Sequence, residues 1–296
     1  MKTSLMKKLR EIEARFELKR KWYRFSRSPL SIVGLIISVG TIITAIAAPW
    51  IAPYPKHAEL YTGLGERFQP PSLKYLFGTD HVGRDVLSRT IFGFRYSLTM
   101  AAVVLSLVVP VGVVLGLIAG YYRGTWIDTV IMRIADIFIA VPPLVLALAI
   151  AAVLEPSVFN SMIAVSLMWW PWYTRMVYNT ASALRNEYFV QAAEVMGAGS
   201  FHIIFREILP NCLGPILTKV TLDVGWVILL GSALSFVGLG AQPPTPDLGT
   251  MVAEGGKYMP DSWWISIFPA IAISIIILGF NLLGDGIRDI FVEEAR

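Results

Sequence analysis

The chain holds 296 residues, of which 55% are hydrophobic and only 16% charged, with a mean hydropathy of +0.61. A soluble domain carries about 25% charged residues, so the shortfall excludes an ordinary soluble globule and predicts an integral membrane protein. The net charge of +4 is no nucleic-acid footprint, because ten Lys and Arg crowd between Lys2 and Arg27 against three acidic residues.

The chain opens on that basic segment, residues 1–29, where Leu5, Leu9, Ile12 and Phe16 fall at helical spacing. A helix lying on an anionic membrane surface and a solvated, frayed helix both fit it. The first apolar run, Leu30–Ala52, is 23 residues long. That exceeds the apolar core of a signal peptide, about 7–15 residues, and predicts a first span over 30–52 rather than a cleaved leader. Residues 53–96 then form an external loop with an interfacial segment, and residues 97–290 a core domain. Further runs cover Ser97–Tyr122, Ile137–Leu154, Pro156–Thr174 and Ser262–Gly284, while Ile208–Val237 is interrupted only by Lys219 and Asp223.

A helix needs about 20 residues to cross the hydrocarbon core, and backbone groups left unpaired in lipid rule out open strands. The expectation is an all-α membrane protein with six transmembrane helices. The basic N-terminus places both termini in the cytoplasm, including the tail 291–296. Arg123–Arg133 and Arg175–Glu207 then fall inside, and Leu239–Asp261 outside. Trp50, Trp169, Trp170, Trp172, Trp263 and Trp264 stand at run ends, where interfacial belts are expected. Gly112, Gly116, Gly120 and Gly124 recur every four residues and predict a close-packed helix face. Pro142-Pro143 predicts a kink in the third run. Gln242–Pro246, rich in proline, reads as a stiff extended loop outside.

Much chemistry is excluded. The chain has no GxxxxGK[ST] to cradle nucleotide phosphates and no HExxH. Its three histidines, His57, His81 and His202, all lie outside the apolar runs, so neither a buried Ser–His pair nor a metal centre is expected. The single cysteine, Cys212, cannot form an intrachain disulfide. Lys219 and Asp223 stand four apart on one helix face, and each costs roughly 2.5–3.5 kcal/mol at the bilayer centre. They can pair with each other and should face protein or water. Two readings stay open: Lys219 snorkels to the interface with Asp223 following, or Asp223 faces a translocation path.

The inside segment Gln191-Ala192-Ala193-Glu194-Val195-Met196-Gly197 predicts a helix starting at Glu187 with Asn186 as its cap. Ala192, Ala193 and Gly197 place small side chains on one face, as a close-docking partner requires. Gly197, Gly199 and Ser200 end that helix, a second short one runs from Phe201 to Leu209, and Pro210 opens the next span. An ordinary amphipathic connector would look similar.

This segment resembles the EAA loop of ABC importer permeases, with Ala192, Ala193, Gly197, Leu209 and Pro210 at matching spacing and Gln191 where the family usually has Glu. Phe77–Arg89, which carries Gly78, Asp80, Gly83, Arg84, Asp85 and Arg89, resembles a signature of the dipeptide/oligopeptide/nickel permease family, C-type subunit. So do Phe236–Gly249 and Asn281–Asp289. On residues alone, the cluster Asp80, Arg84, Asp85 and Arg89 reads as ion pairs tying a short interfacial helix together, more than as a substrate contact. The resemblance implies a type I ABC importer permease fold with a coupling loop over 187–210. It implies a plasma-membrane (inner-membrane) subunit without enzymatic activity or cofactor, paired with a B-type sister permease. Two ATP-binding subunits that carry ATP-Mg and an external substrate-binding protein complete the expected assembly. Di- and oligopeptides are the favoured cargo, nickel or oligosaccharides the alternative. An ion-gradient-driven transporter is the rival of another class, and a membrane-embedded enzyme is disfavoured by the missing histidines.

Overall fold

The computed structural model describes residues 19–20 and 22–292, so the face of Leu5, Leu9, Ile12 and Phe16 and the end of the tail lie outside the described residues. Within them the fold is helical, and nine helices matter here: α1 (Pro29–Ile51), α2 (Val86–Tyr121), α3 (Trp126–Ile139), α4 (Pro143–Val153), α5 (Val158–Leu184), α6 (Tyr188–Val195), α7 (Ser200–Phe236), α8 (Leu248–Gly256) and α9 (Trp264–Val292). Helices α1, α2, α7 and α9 are each long and apolar enough to cross a membrane, and α3 with α4 would supply a fifth span if the bent pair counts as one.

Helix α1 is sorted inside-out relative to a helix of a soluble bundle. On α1 the buried positions are Ser31, Gly34, Ser38, Thr41, Ala45 and Ala48, while Ile36, Ile43 and Ile46 are exposed. Small and weakly polar residues meet the neighbouring helix and large apolar ones face out, the arrangement of helices packed in lipid. A Cβ added to Gly34 would lie 2.5 Å from the backbone nitrogen of Leu283 on α9. The main core joins Met100, Val104 and Val108 of α2, Val165 and Met168 of α5, Val227 and Leu234 of α7, and Ile276 of α9.

The glycine face works at three of its four positions. A Cβ on Gly112 would stand 2.5 Å from the Tyr173 Cβ, one on Gly116 2.6 Å from the Thr174 carbonyl oxygen, and one on Gly120 2.7 Å from the Ala181 Cβ. These contacts seat α2 against the length of α5. Gly124 lies beyond the end of α2 at φ +82° with open space around it, so it serves a turn and not the seam.

The third apolar run is not one kinked helix. It is broken between Ile139 and Pro143, and α3 and α4 meet at 88°. Two consecutive prolines remove two amide donors, and the residue before each is pushed out of helical conformation. Both pieces pack on α5.

Outside α1, two buried positive charges and their partners close the external loop. Asp80 Oδ1 accepts from the Val82 and Arg84 amides at 3.0 and 2.8 Å, and its Oδ2 accepts from Arg84 Nε at 2.7 Å. Arg89 Nε lies 3.7 Å from the same carboxylate, and Arg84 reaches Glu254 of α8 at 3.9 Å. Arg89 also donates to the carbonyls of His57 and Pro244 at 3.4 and 3.1 Å. Asp85 caps α2 by accepting from the Ser88 amide at 2.7 Å. Asp80, Arg84, Asp85 and Arg89 are all nearly inaccessible to solvent. The expected short interfacial helix is absent. Asp85 instead starts α2 itself, whose first turns occupy positions 86–96 of the expected loop, because a satisfied N-cap lets the helix begin ahead of its apolar run. Gly78 and Gly83 adopt φ +72° and +86°, and a Cβ on Gly83 would lie 2.0 Å from the Gly63 carbonyl oxygen. The Gln242–Pro246 segment is not extended: the Thr245 amide bonds back to the Gln242 carbonyl at 3.1 Å, forming a turn that offers the Pro244 carbonyl to Arg89.

Two of the six tryptophans leave the expected belts. Trp264 is buried and donates from Nε1 to the Thr79 carbonyl at 3.1 Å, and Trp169 is buried in the main core. Trp50 is 80% exposed, as an interfacial ring should be.

Two tests follow from this packing. Gly116→Ala should destabilise the protein by about 1–3 kcal/mol, the usual cost of overpacking. Gly40→Ala, where no heavy atom lies within 4 Å, should not; thermal unfolding in mild detergent reads both. His57 is buried between Tyr54 and Tyr61, and its Nδ1 accepts the Asp85 amide at 2.8 Å. Desolvation holds its pKa below 6.5, against the opposing pull of Asp85, Asp80 and Glu66. Neutral His57 therefore stabilises the fold above pH 6.5, and that contribution is lost as pH falls through the depressed value. The melting temperature should drop on acidification below pH 6.5, and the drop should flatten in His57→Gln.

Candidate functional site

Two groups of predicted residues form distinct sites, one on the loop between α5 and α7 and one between the helices themselves. The loop site is built on α6. Its N-cap position is Glu187, without a side-chain cap, and not Asn186. The Asn186 carbonyl instead accepts from Gln191 Nε2 at 3.0 Å, a bond that a glutamate at this position could not donate.

The helix ends on a Schellman motif. The Ala198 amide bonds to the Ala193 carbonyl at 3.0 Å and the Gly197 amide to the Glu194 carbonyl at 2.9 Å, with Gly197 at φ +84°. No heavy atom lies within 4 Å of a Cβ placed there, so within this chain glycine is required by backbone conformation and not by crowding.

The small residues do not share a face. Ala193 and Val190 point inward and are buried against Leu117, Val177, Ala181, Ile203 and Ile208, whereas Ala192, Gln191 and Gly197 are exposed. Around them Tyr188, Val195, Met196 and Phe201 are each more than three-quarters exposed. Exposed large apolar side chains over a satisfied core are the kind of feature that a partner surface can cover.

The second short helix also differs from expectation. Residues 200–236 run as one helix, π-helical from Ile203 to Ile208, and the Leu209 amide bonds five residues back to the Ile204 carbonyl at the π stretch's end. Pro210 therefore lies inside α7. In a regular α-helix its ring would clash with the carbonyl four residues back, and the wider π turn just before it relieves that conflict. Leu209 and Pro210 thus carry the first turns of α7 without a break into its long apolar part.

Sequence reasoning missed two residues that hold α6 in place. Glu194 forms an ion pair with Arg185 at 2.6 Å and accepts from the Tyr121 hydroxyl at 3.4 Å, and the Arg185 guanidinium sits 4.8 Å from the Tyr121 ring centroid. These residues come from three helix ends distant in sequence, and no periodicity links them.

The second site lies between α5 and α7. Lys219 Nζ is 3.2 and 3.1 Å from the two Asp223 oxygens, and Trp169 Nε1 donates to Asp223 Oδ2 at 2.9 Å. Lys219 also lies 5.1 Å from the Tyr173 ring centroid and 5.8 Å from that of Trp169. Asp223 is 3% exposed. The charges face protein, as expected, and Trp169 is the unforeseen third member. A carboxylate so enclosed depends on its partners, since removing one partner of a buried pair costs about 3–5 kcal/mol. Lys219→Met should lower stability by that order, while Lys219→Met with Asp223→Asn should recover most of it; detergent melts of the single and double variants decide.

The external motif residues Gly78, Asp80, Gly83, Arg84, Asp85 and Arg89 are brought together in the closed loop described above. They form a scaffold with no charge left facing solvent.

Residues 112–296 match the family model described as the inner membrane component of binding-protein-dependent transport systems, and residues 18–71 match the N-terminal transmembrane domain of oligopeptide transport permease C. The chain is 40% identical over 283 residues to the probable D,D-dipeptide transport system permease protein DdpC of Escherichia coli (strain K12), covering 96% of this chain and 94% of that one. It is 42% identical over 266 residues to the dipeptide transport system permease protein DppC of Alkalihalophilus pseudofirmus, covering 90% and 86%. Among solved structures, a chain of the MetNI methionine ABC transporter in inward-facing conformations matches with a TM-score of 0.55 and 19% identity, over 68% of this chain and 95% of that one, a likeness of fold. With a family model over most of its length and relatives of this identity end to end, the chain belongs to the binding-protein-dependent ABC transport permeases, in their dipeptide/oligopeptide C-type branch.

Proposed function

We propose that this chain is half of the translocation path of an ATP-driven importer for di- and oligopeptides, coupling the motion of separate ATPase subunits to alternating access. The observation that carries the reading is the exposed apolar surface of Tyr188, Val195, Met196 and Phe201, set on a loop whose two sides run directly into α5 and α7. Such a surface suits a docking partner. Because the underside of α6 is buried against the helix bundle, a push on α6 bears on the helices it rests on. The peptide class of cargo follows from the names borne by its relatives.

In this reading the chain crosses the inner (plasma) membrane six times with both termini in the cytoplasm. Helices α3 and α4 form one broken crossing, and α5, with 27 residues, forms another despite its polar second half. The glycine seam shields that half from lipid along α2. A B-type sister permease supplies the other half of the path, two ATP-binding subunits dock on the coupling loop and carry ATP-Mg, and an external binding protein delivers cargo. Asp223 and Lys219 border the path and are closed off by Trp169 in the conformation seen.

The chain, tagged and purified in mild detergent from its own cells, should bring down a second permease and ATPase subunits in native mass spectrometry. Uptake by the reconstituted complex should require ATP hydrolysis and be competed by dipeptides. Purification of the chain alone, or uptake driven by an ion gradient without ATP, would sink the proposal, and competition by nickel or oligosaccharides in place of dipeptides would reassign the cargo.

A further inference from the structure

Apolar contact beneath α6 is strong but non-directional, so by itself it permits sliding and rotation of the docking helix. A directional restraint is present at one place. Tyr121 is the last residue of α2, Arg185 immediately follows the last residue of α5, and Glu194 lies in the final turn of α6. Side chains from three helix C-terminal ends therefore meet at one guanidinium. Glu194 adds a full negative charge to the end where helix electrostatics least favour it, and Arg185 at 2.6 Å compensates. The same guanidinium lies over the Tyr121 ring at 4.8 Å, and the Tyr121 hydroxyl returns to Glu194 at 3.4 Å. The triad is thus closed on itself.

We infer that Arg185 is the positioning residue that locks the docking helix to the ends of α2 and α5, so that displacement of α6 moves both helices together. The inference rests on the docking role proposed above for α6. Its mechanical sense comes from the glycine seam. Since α2 and α5 touch backbone to backbone at Gly112, Gly116 and Gly120, they form one stiff pair, and a clamp at their common end moves the pair as a unit. The Arg185–Glu194 pair is partly solvent-exposed, at 29% and 35%, so it adds little to stability. Its loss leaves Val190 and Ala193 buried and the loop folded. Transmission is what fails.

The test uses the complete transporter in proteoliposomes with its binding protein and a dipeptide, measuring subunit content, ATP hydrolysis and uptake. Arg185→Gln should keep all subunits and ATP hydrolysis while uptake per ATP hydrolysed falls roughly twofold to thirtyfold, the range seen when coupling residues are altered. Arg185→Lys, which keeps the charge, should restore most of the ratio. Glu194→Gln combined with Arg185→Gln should be no worse than Arg185→Gln alone, because both act through one triad. An unchanged ratio in Arg185→Gln, losses that multiply in the double variant, or loss of ATPase subunits from the complex would each overturn the inference. The docking role has its own control: a Val195→Cys chain that cross-links to no ATP-hydrolysing subunit would overturn that role, whatever Arg185 does.

Discussion

Close backbone contact between α2 and α5 is the constraint on which the rest of the arrangement depends. In lipid, helices gain little from burying apolar surface against one another, because the acyl chains are as apolar as the side chains they replace. Association must come from surface fit, and Gly112, Gly116 and Gly120 let α2 approach to where Tyr173, Thr174 and Ala181 leave no room for a methyl group. This fixes the position of the α5 C-terminus, and hence where the loop after it begins. The loop in turn fixes α7, which runs unbroken from Ser200 through the π stretch to Phe236.

Among the described residues, two sites of buried charge are managed differently. Outside the apolar spans, Asp80 is surrounded by amides and two guanidinium groups, and Arg89 donates to two carbonyls. A fully satisfied network of this kind resists change, which suits a cap that holds the first turns of α2 against α8. Between α5 and α7 the network is smaller. One lysine and one indole N–H hold Asp223, with the Tyr173 ring beside the lysine.

Irregular backbone has local causes. The 88° break between α3 and α4, the π stretch before Pro210 and the left-handed Gly197 all follow from residues that cannot sit in a regular helix, or that end one. Each changes the direction of the chain without leaving backbone groups stranded. Between α5 and α7, this gives a short helix with a defined end and a continuous entry into the next long helix.

Much of this was legible in the sequence. Composition and apolar runs determined a helical membrane protein, since uncharged stretches of about 20 residues have few other uses. The motif around Gln191–Pro210 singled out the segment that links α5 to α7, the four-residue glycine spacing identified the seam, and the four-residue offset of Lys219 and Asp223 identified their pairing, because each is a local pattern. What the tertiary structure alone decided is non-local. Trp169 closes on Asp223 from 54 positions away, and Arg89 reaches Pro244 across 155. Tyr121, Arg185 and Glu194 meet although no helix contains any two of them. Ala192 and Ala193, adjacent in the motif, turn to opposite sides only because α6 has a bundle beneath it. Periodicity reports which face of a helix a residue occupies. Which neighbour that face meets depends on how the helices pack, and here the glycine seam between α2 and α5 sets that packing.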